Sequence, residues 1–463
     1  MSKAQQCLRV KLNTRVPAAA DGAGKTPQVP PPCSSASAPP PTSTQCSPSH
    51  PQYFRVIGRG TCGTVYEHAG LPTEVAIKVG SDRAAIKRDF NHALRAYNAS
   101  RAPRSPVSLF TGPLPDDEAA TLDIPRPLVP RPRKMLDDHD LGRLGRRGLR
   151  LEAVDDELSD GGPEDFTGAE IPSAWEVERI GPIAATVRDA LVDLYVQPAL
   201  RETLRANDES RDCLVRVYLG AQAPSSSRQR QRRQWHLDSG LRNAPLYLDQ
   251  MDEARLDPCM LAEEVGVGIA TCQWAACLDG MDVEFVLGGP RLPRYRDRAE
   301  CAAMPEQPEA RMWMLDYDKT TLLPFVARGS QCPSAEELVE RFAVSMHGND
   351  PYFPRPSLDR ALWDRFVEVY VLTARSILRN TKMPASRLEF LLDLPREVMA
   401  RLAELYEEEE QWQRDADDLV GFEDGRDDLG EGWGSEDVSS ISGEDEEECP
   451  SEREVKQKSR NGF

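Results

Sequence analysis

Apolar and polar positions along the chain first fall into a regular pattern at Phe54. Phe54 and Val56, then Val65 and Tyr66, then Val75, Ala76 and Ile77 form short β-forming runs separated by turn residues. They predict strand, glycine turn, strand, short turn, strand over 54–79. Residues 82–99 change period and predict a helix, with Ile86, Phe90 and Leu94 at i, i+4 and i+8 as its buried stripe. Leu122-Asp123-Ile124-Pro125 opens a further strand, and 126–170 has no apolar period, which predicts a surface loop. Ala174–Ile180 resumes a strand. A helix over 183–197 follows, with Val187, Leu191, Leu194 and Tyr195 on one face and Pro198 just past its end.

Cys213–Leu219 predicts another strand. Asp257-Pro258 is a helix start, an acceptor at the N-cap and proline at N1, ahead of a stripe of Leu261, Val265, Ile269 and Cys272. An acidic loop then runs into the apolar strand Phe285-Val286-Leu287, and Trp313-Met314-Leu315 forms the next strand. Ser334-Ala335-Glu336-Glu337 is a capping box opening a helix to about Ser345. Leu358, Leu362, Phe366, Val369, Thr373 and Ile377 mark an amphipathic helix, and a last one spans about 395–412.

Composition changes this picture at the ends. Of 463 residues, 40% are hydrophobic, enough for a core, but 38 are proline and only 6% aromatic. Residues 1–50 are rich in Pro, Ser, Ala and Thr and predict a disordered arm. The net charge of −19 is concentrated in 404–448, where twenty carboxylates face two arginines, leaving −1 for the rest. Residues 404–463 therefore predict an acidic tail without packed structure beyond the helix end. A near-neutral body argues against direct nucleic-acid binding. The basic stretch at 126–150 reads as part of a surface loop, and Arg228, Arg230, Arg232 and Arg233 read as a solvated loop or as a nuclear-import or anionic-partner patch.

The eleven cysteines include no C-x-x-C pair, so zinc-finger spacing is absent and no zinc site is expected. An odd cysteine count, no apolar leader and no apolar run of spanning length predict a cytoplasmic or nuclear protein without membrane contact.

The candidate chemistry sits in the first strands. Gly58-Arg59-Gly60-Thr61-Cys62-Gly63-Thr64-Val65 is G-x-G-x-x-G-x-V, and Val75-Ala76-Ile77-Lys78 puts a lysine at the end of the third strand. Glycines let backbone N–H groups approach a phosphate, and the lysine can reach the same phosphates. A strand follows these glycines, where dinucleotide folds place a helix. The combination resembles the nucleotide-binding lobe of the protein-kinase-like fold. That resemblance implies an α+β, bilobal molecule, with a small antiparallel-sheet N-lobe at 51–180 and a mostly helical C-lobe at 181–403. It implies ATP and Mg²⁺ as ligands, Gly58, Gly60, Gly63, Val65 and Lys78 around the nucleotide, and backbone groups near Glu178 and Ile180 at an adenine edge.

Further along, Asp279 would orient the attacking hydroxyl, and five residues on Glu284 stands where an Asn usually binds metal. Asp316-Tyr317-Asp318 ends a strand, with Asp316 as a Mg²⁺ ligand and Asp318 in place of the protein-kinase glycine, as in small-molecule phosphotransferases. The helix after Lys78 usually offers a Glu to the lysine. No Glu lies between Val79 and Ser100, and Asp89 and His92 are the nearest substitutes. Ordinary turns at strand ends are the plain alternative for each acidic cluster.

V-I-G-x-G-x-C-G-T-V, V-E-R-I, C-L-V-R-V-Y-L-G, P-L-Y-L-D-Q-M, D-x-x-D-V-E-F-V-L-G and N-D-P-Y-F-P-R-P together resemble a fungal family of unknown function often labelled zinc finger protein, over roughly 54–392. It implies a kinase-like domain and supplies no substrate; Gln273 stands where that family commonly has histidine before Trp274. Three readings follow. One is an ATP-dependent phosphotransferase on a small molecule. Another is a pseudokinase that binds a nucleotide, small molecule or protein partner. The third is a transcription-linked protein working through its tails.

Overall fold

The computed structural model describes residues 54–68, 74–101, 124–146, 172–223, 241–254, 256–292, 296, 310–326, 332–349 and 351–423. The Pro/Ser-rich arm, the arginine-rich loop at 228–233 and everything beyond 423 lie outside them. The architecture is mixed α+β, an antiparallel sheet first and helices later in the chain. The chain divides into two units, Met1–Glu409 and Glu410–Phe463.

The first sheet grows from the β-forming runs. Strands β1 (Phe54–Gly60), β2 (Gly63–His68) and β3 (Val75–Gly80) pair antiparallel, and β4 (Pro132–Met135) and β5 (Ser173–Glu178) complete the order β1-β2-β3-β5-β4. Alternation along β3 sends Ile77 and Val79 to one face and Lys78 to the other. Helix α1 (Arg83–Arg101) follows β3, as expected, but its rotation differs. Phe90 is half-buried against Trp175, and Leu94 is exposed. The buried stripe is Ile86, Asp89, Ala93, Ala96 and Tyr97. A stripe chosen on apolar residues alone passes over an acid that faces inward because it has a cationic partner.

The expected loop at 126–170 is the main departure. Within it lie β4 and the helix α2 (Asp138–Arg146), while 147–171 is outside the described residues. The strand Pro-Arg-Lys-Met lacks apolar alternation because it is an edge strand, where proline and charged side chains fit. Helix α2 is short, and only Leu141 and Leu144, with Leu136 ahead of it, reach the cluster of Tyr66, Ile77, Val79 and Ala174.

Helices α3 (Ala185–Tyr195) and α4 (Pro198–Ala206) come next. Pro198 opens α4 at its N-terminus instead of only closing α3. A one-turn helix at Asp208–Asp212 leads into β6 (Val215–Tyr218). With β7 (Ala244–Tyr247), β8 (Glu284–Gly288) and β9 (Arg311–Leu315) it makes a second sheet, β7-β6-β8-β9, parallel only between β6 and β7. The strands expected at 213–219, 285–287 and 313–315 are β6, β8 and β9, and β7, four residues long, is the one not expected.

Among the later helices, α5 (Leu248–Ala254) precedes α6 (Pro258–Ala270). Asp257 caps α6 by accepting from the Cys259 and Met260 N–H groups, and the helix widens into a π-turn at Thr271–Ala275. The helix α7 (Ala335–His347) is capped by Ser334. Helix α8 (Arg360–Asn380) buries Leu362, Phe366, Val369, Thr373 and Ile377 as read, although Leu358 lies ahead of its Asp359 cap and is exposed. Helices α6 and α8 pack closely at Gly266, where an added Cβ would lie 3.3 Å from the Phe366 carbonyl oxygen.

After α9 (Ala385–Leu391), α10 (Leu394–Glu423) ends the described chain. It continues past 412, where the acidic run was expected to end it. In the second unit, Gln411 donates to Asp415 at i+4 and Arg414 donates to Gln411, contacts that offset part of the carboxylate repulsion on a solvated helix. Among the described residues no helix is long and apolar enough to cross a membrane.

Candidate functional site

A cleft of about 200 Å³ lies between the glycine hairpin and the second sheet. Its roof is the β1–β2 turn, in which Gly60 pairs with Gly63 across Thr61 and Cys62. Gly63 has φ +155°, and an added Cβ would stand 2.2 Å from the Val79 carbonyl oxygen. No side chain fits there, so the turn can lie close over β3 only with glycine.

Lys78 lines the cleft. Its Nζ lies 2.8 Å from Asp89 and 2.9 Å from Asp316, and its side chain is 12% exposed. Burial pulls the ammonium down, but the two carboxylates outweigh it and hold it above the ordinary lysine value. Asp89 also accepts the Tyr317 N–H at 3.2 Å, Arg88 donates to the Asp318 carbonyl, and His92 Nδ1 lies 2.7 Å from Thr320 Oγ1. Helix α1 is thereby joined to the turn at 316–320. The lysine partner left open by the missing Glu is Asp89; His92 goes to Thr320 instead.

Asp316 sits at the end of β9 with φ +64°, a left-handed conformation that Asp tolerates. That turn presents its carboxylate to the cleft. Asp318 is 1% exposed; burial, then the charge of Asp316, push its carboxyl above the ordinary range.

The remaining expected residues divide. Gly58, Gly60, Gly63, Val65, Glu178, Ile180 and Glu284 all line the cleft with Lys78 and Asp316. Glu178, however, is a buried structural acid. Its carboxylate accepts from Arg291 Nε at 2.8 Å and from the Arg131 N–H at 2.9 Å, and its own N–H donates to the Arg131 carbonyl. Glu284 is paired with the guanidinium of Arg216.

The structure does not bring Asp279 to the cleft wall. It is 4% exposed, and its Oδ1 accepts from the Thr321 N–H at 2.8 Å and the Met281 N–H at 3.2 Å. The Asp279 carbonyl accepts from Gln273 Nε2 at 2.9 Å and Ser345 Oγ at 2.6 Å. Gln273 in turn accepts from the Tyr370 hydroxyl, which accepts from Trp274 Nε1.

Sequence reading missed Arg216, Arg179 and Asp212 on the cleft wall. The signal for Arg216 was present: an arginine between the valines of Val215-Arg216-Val217 points away from the face that Val215 and Val217 bury. Arg179 and Asp212 belong to a charged group at one side of the cleft. Arg55 and Arg179 each pair with both Glu67 and Asp212, the latter at 2.8 and 3.0 Å. Arg55 and Glu67 face each other across the β1–β2 hairpin, but Arg179 and Asp212 come from distant parts of the chain, so only folding completes the group.

The molecule is a mixed α+β protein with a charged cleft roofed by a glycine hairpin. Residues 312–382, from within β9 to just past α8, match a family model described as DUF3669, zinc finger protein. No curated protein and no solved structure matches the chain. The matched stretch contains one cysteine, Cys332, and one histidine, His347, two of the four Cys/His ligands a structural zinc takes. Among the described residues, one trio of potential ligand groups lies close together, Asp137, His139 and Asp140, and there Asp140 is already paired with Lys134.

Proposed function

We propose that this chain has the bilobal protein-kinase-like fold and that its cleft binds a nucleotide with a divalent cation, ATP and Mg²⁺. The observation that carries the reading is Lys78, held between an acid of the following helix and the acid that ends β9, directly beneath a hairpin that requires glycine. A buried lysine fixed in this way is a preorganised point charge for phosphate oxygens, and the hairpin adds backbone N–H groups. Asp316 fits a hard cation. It is an oxygen donor, 26% exposed, turned into the cleft, and Mg²⁺ takes one or two carboxylates together with phosphate oxygens. Bound there, the cation would neutralise phosphate charge; Lys78 and the glycine hairpin would orient the chain of phosphates.

Phosphotransfer to a small molecule would require Asp279 to reach an acceptor hydroxyl. A binding module without turnover is the second reading, favoured by the two N–H groups that occupy Asp279 Oδ1 and by its burial. A thermal-shift titration tests both. Mg-ATP at millimolar concentration is expected to raise the melting temperature of the wild type, and Lys78→Ala and Asp316→Asn to abolish that rise relative to their own ligand-free values. No rise in the wild type would end the nucleotide reading. Where a rise is found, phosphate release or transfer by the wild type that Asp279→Asn abolishes would favour the enzyme over the module.

A further inference from the structure

The cleft has five acids on its wall, and their cations are unequally distributed. Asp212 shares Arg55 and Arg179 with Glu67, Glu178 has Arg291, and Glu284 has Arg216. Asp89 and Asp316 share the single ammonium of Lys78. Asp318, 1% exposed, lies two residues on with no hydrogen-bond partner at its Oδ1, but burial and the charge of Asp316 favour its uncharged form, so the surplus rests on Asp89 and Asp316. Negative charge is therefore in surplus at the Asp316 end and balanced at the Glu284 end. We propose that the nucleotide in this cleft carries one divalent cation, held at Asp316, and that the Arg216 guanidinium, anchored by Glu284, joins Lys78 as a second cationic side chain on its phosphate chain.

This inference rests on the nucleotide reading above and departs from the expectation that Glu284 is a metal ligand. A divalent cation on Glu284 would stand beside the Arg216 guanidinium already paired with it, and the two like charges oppose one another there. Arg216 has no such conflict. A guanidinium carries five N–H donors in a planar fork, enough to hold a carboxylate and a phosphate oxygen together. It sits on β6 beside β8, on the cleft wall, and stays charged at every working pH.

Bound Mn²⁺, counted by electron paramagnetic resonance with a non-hydrolysable β,γ-imido analogue of ATP, tests it. One Mn²⁺ per chain is expected in the wild type, and still one in Glu284→Gln. Arg216→Met alone would strand the Glu284 charge, so the paired variant Arg216→Met/Glu284→Gln is used, with ligand-free melting temperatures checking that it folds. It should bind the analogue at least about tenfold more weakly, the scale of one charge-assisted hydrogen bond, with Arg216→Lys between it and the wild type. Two Mn²⁺ in the wild type, falling to one in Glu284→Gln, would overturn the inference. So would unchanged affinity in the paired variant. Both of those results leave nucleotide binding intact. A wild type that binds no analogue with any divalent ion overturns the nucleotide reading and this inference with it.

Discussion

Asp279 precedes β8 and Asp316 follows β9, and because Glu284 pairs with Leu315 both acids lie near the same end of one two-stranded ladder. Their uses are opposite. Asp316 is turned outward by a left-handed backbone, keeps a quarter of its side chain exposed and meets Lys78. Asp279 is folded under the loop, accepts two backbone N–H groups and is held from behind by Gln273 and Ser345. Similar sequence signatures, an acid at a strand end, thus become a cleft wall in one place and an internal tie in the other. What separates them is the set of N–H groups that the neighbouring loop brings within reach, and that set includes Thr321, 42 residues away in sequence from Asp279.

The contrast can be broken at its strongest point first. Lys78→Met should destabilise the protein by about 3–5 kcal/mol, because it leaves the 2%-exposed Asp89 side chain without a cation. Lys78→Met combined with Asp89→Leu should recover most of that loss. Urea unfolding of the three proteins measures it, and a cost that the second change does not relieve would mean that packing, not charge, holds this position.

A smaller effect sharpens the comparison itself. Asp279→Ala removes the acceptor of two backbone N–H groups and should cost about 2 kcal/mol of stability while leaving nucleotide affinity as in the wild type. Asp316→Asn should do the reverse. Stability and affinity measured on the same two variants would erase the distinction if both changes moved both quantities alike.

Smallest at neutral pH is the effect of two buried thiols, Cys277 ahead of the Asp279 loop and Cys213 ahead of β6. Burial pushes the Cys277 thiol up to about 11 and the Cys213 thiol up to about 12, against an ordinary 9.0. The unfolded chain therefore ionises these thiols before the folded one does. Their contribution to stability is complete below pH 9 and is lost as pH rises through 11 and 12. The slope approaches about 1.4 kcal/mol per pH unit for each thiol in that window. Urea midpoints between pH 8 and 11 should fall less steeply for Cys277→Ala than for the wild type, and equal slopes would show that Cys277 ionises freely in the folded state.

How much of the site could be read in advance varied by residue type. Gly63 and Lys78 announce themselves because their spacing is local, within one run of paired strands. Asp89 was harder, since an acid in a helix stripe reads as solvent-facing until a buried cation is placed opposite it. Strand β4 was missed because its edge position excuses proline and charge from alternation. Arg216 and Glu284 are neighbours through a ladder joining residues 68 positions apart.

The sequence by itself determined the elements whose signals are short-range. These are the glycine hairpin and its strands, the capped starts at Asp257 and Ser334, and the stripe of α8. Such signals need only neighbours within a turn or a strand pair, where backbone geometry and capping act. Only the tertiary structure decided which charges meet. It set Lys78 between Asp89 and Asp316, gave Glu284 to Arg216, and tied Asp279 to the N–H groups of Met281 and Thr321. Electrostatic pairing depends on distance through space and on burial, and neither is encoded in the order of residues until the sheets and helices have closed around them.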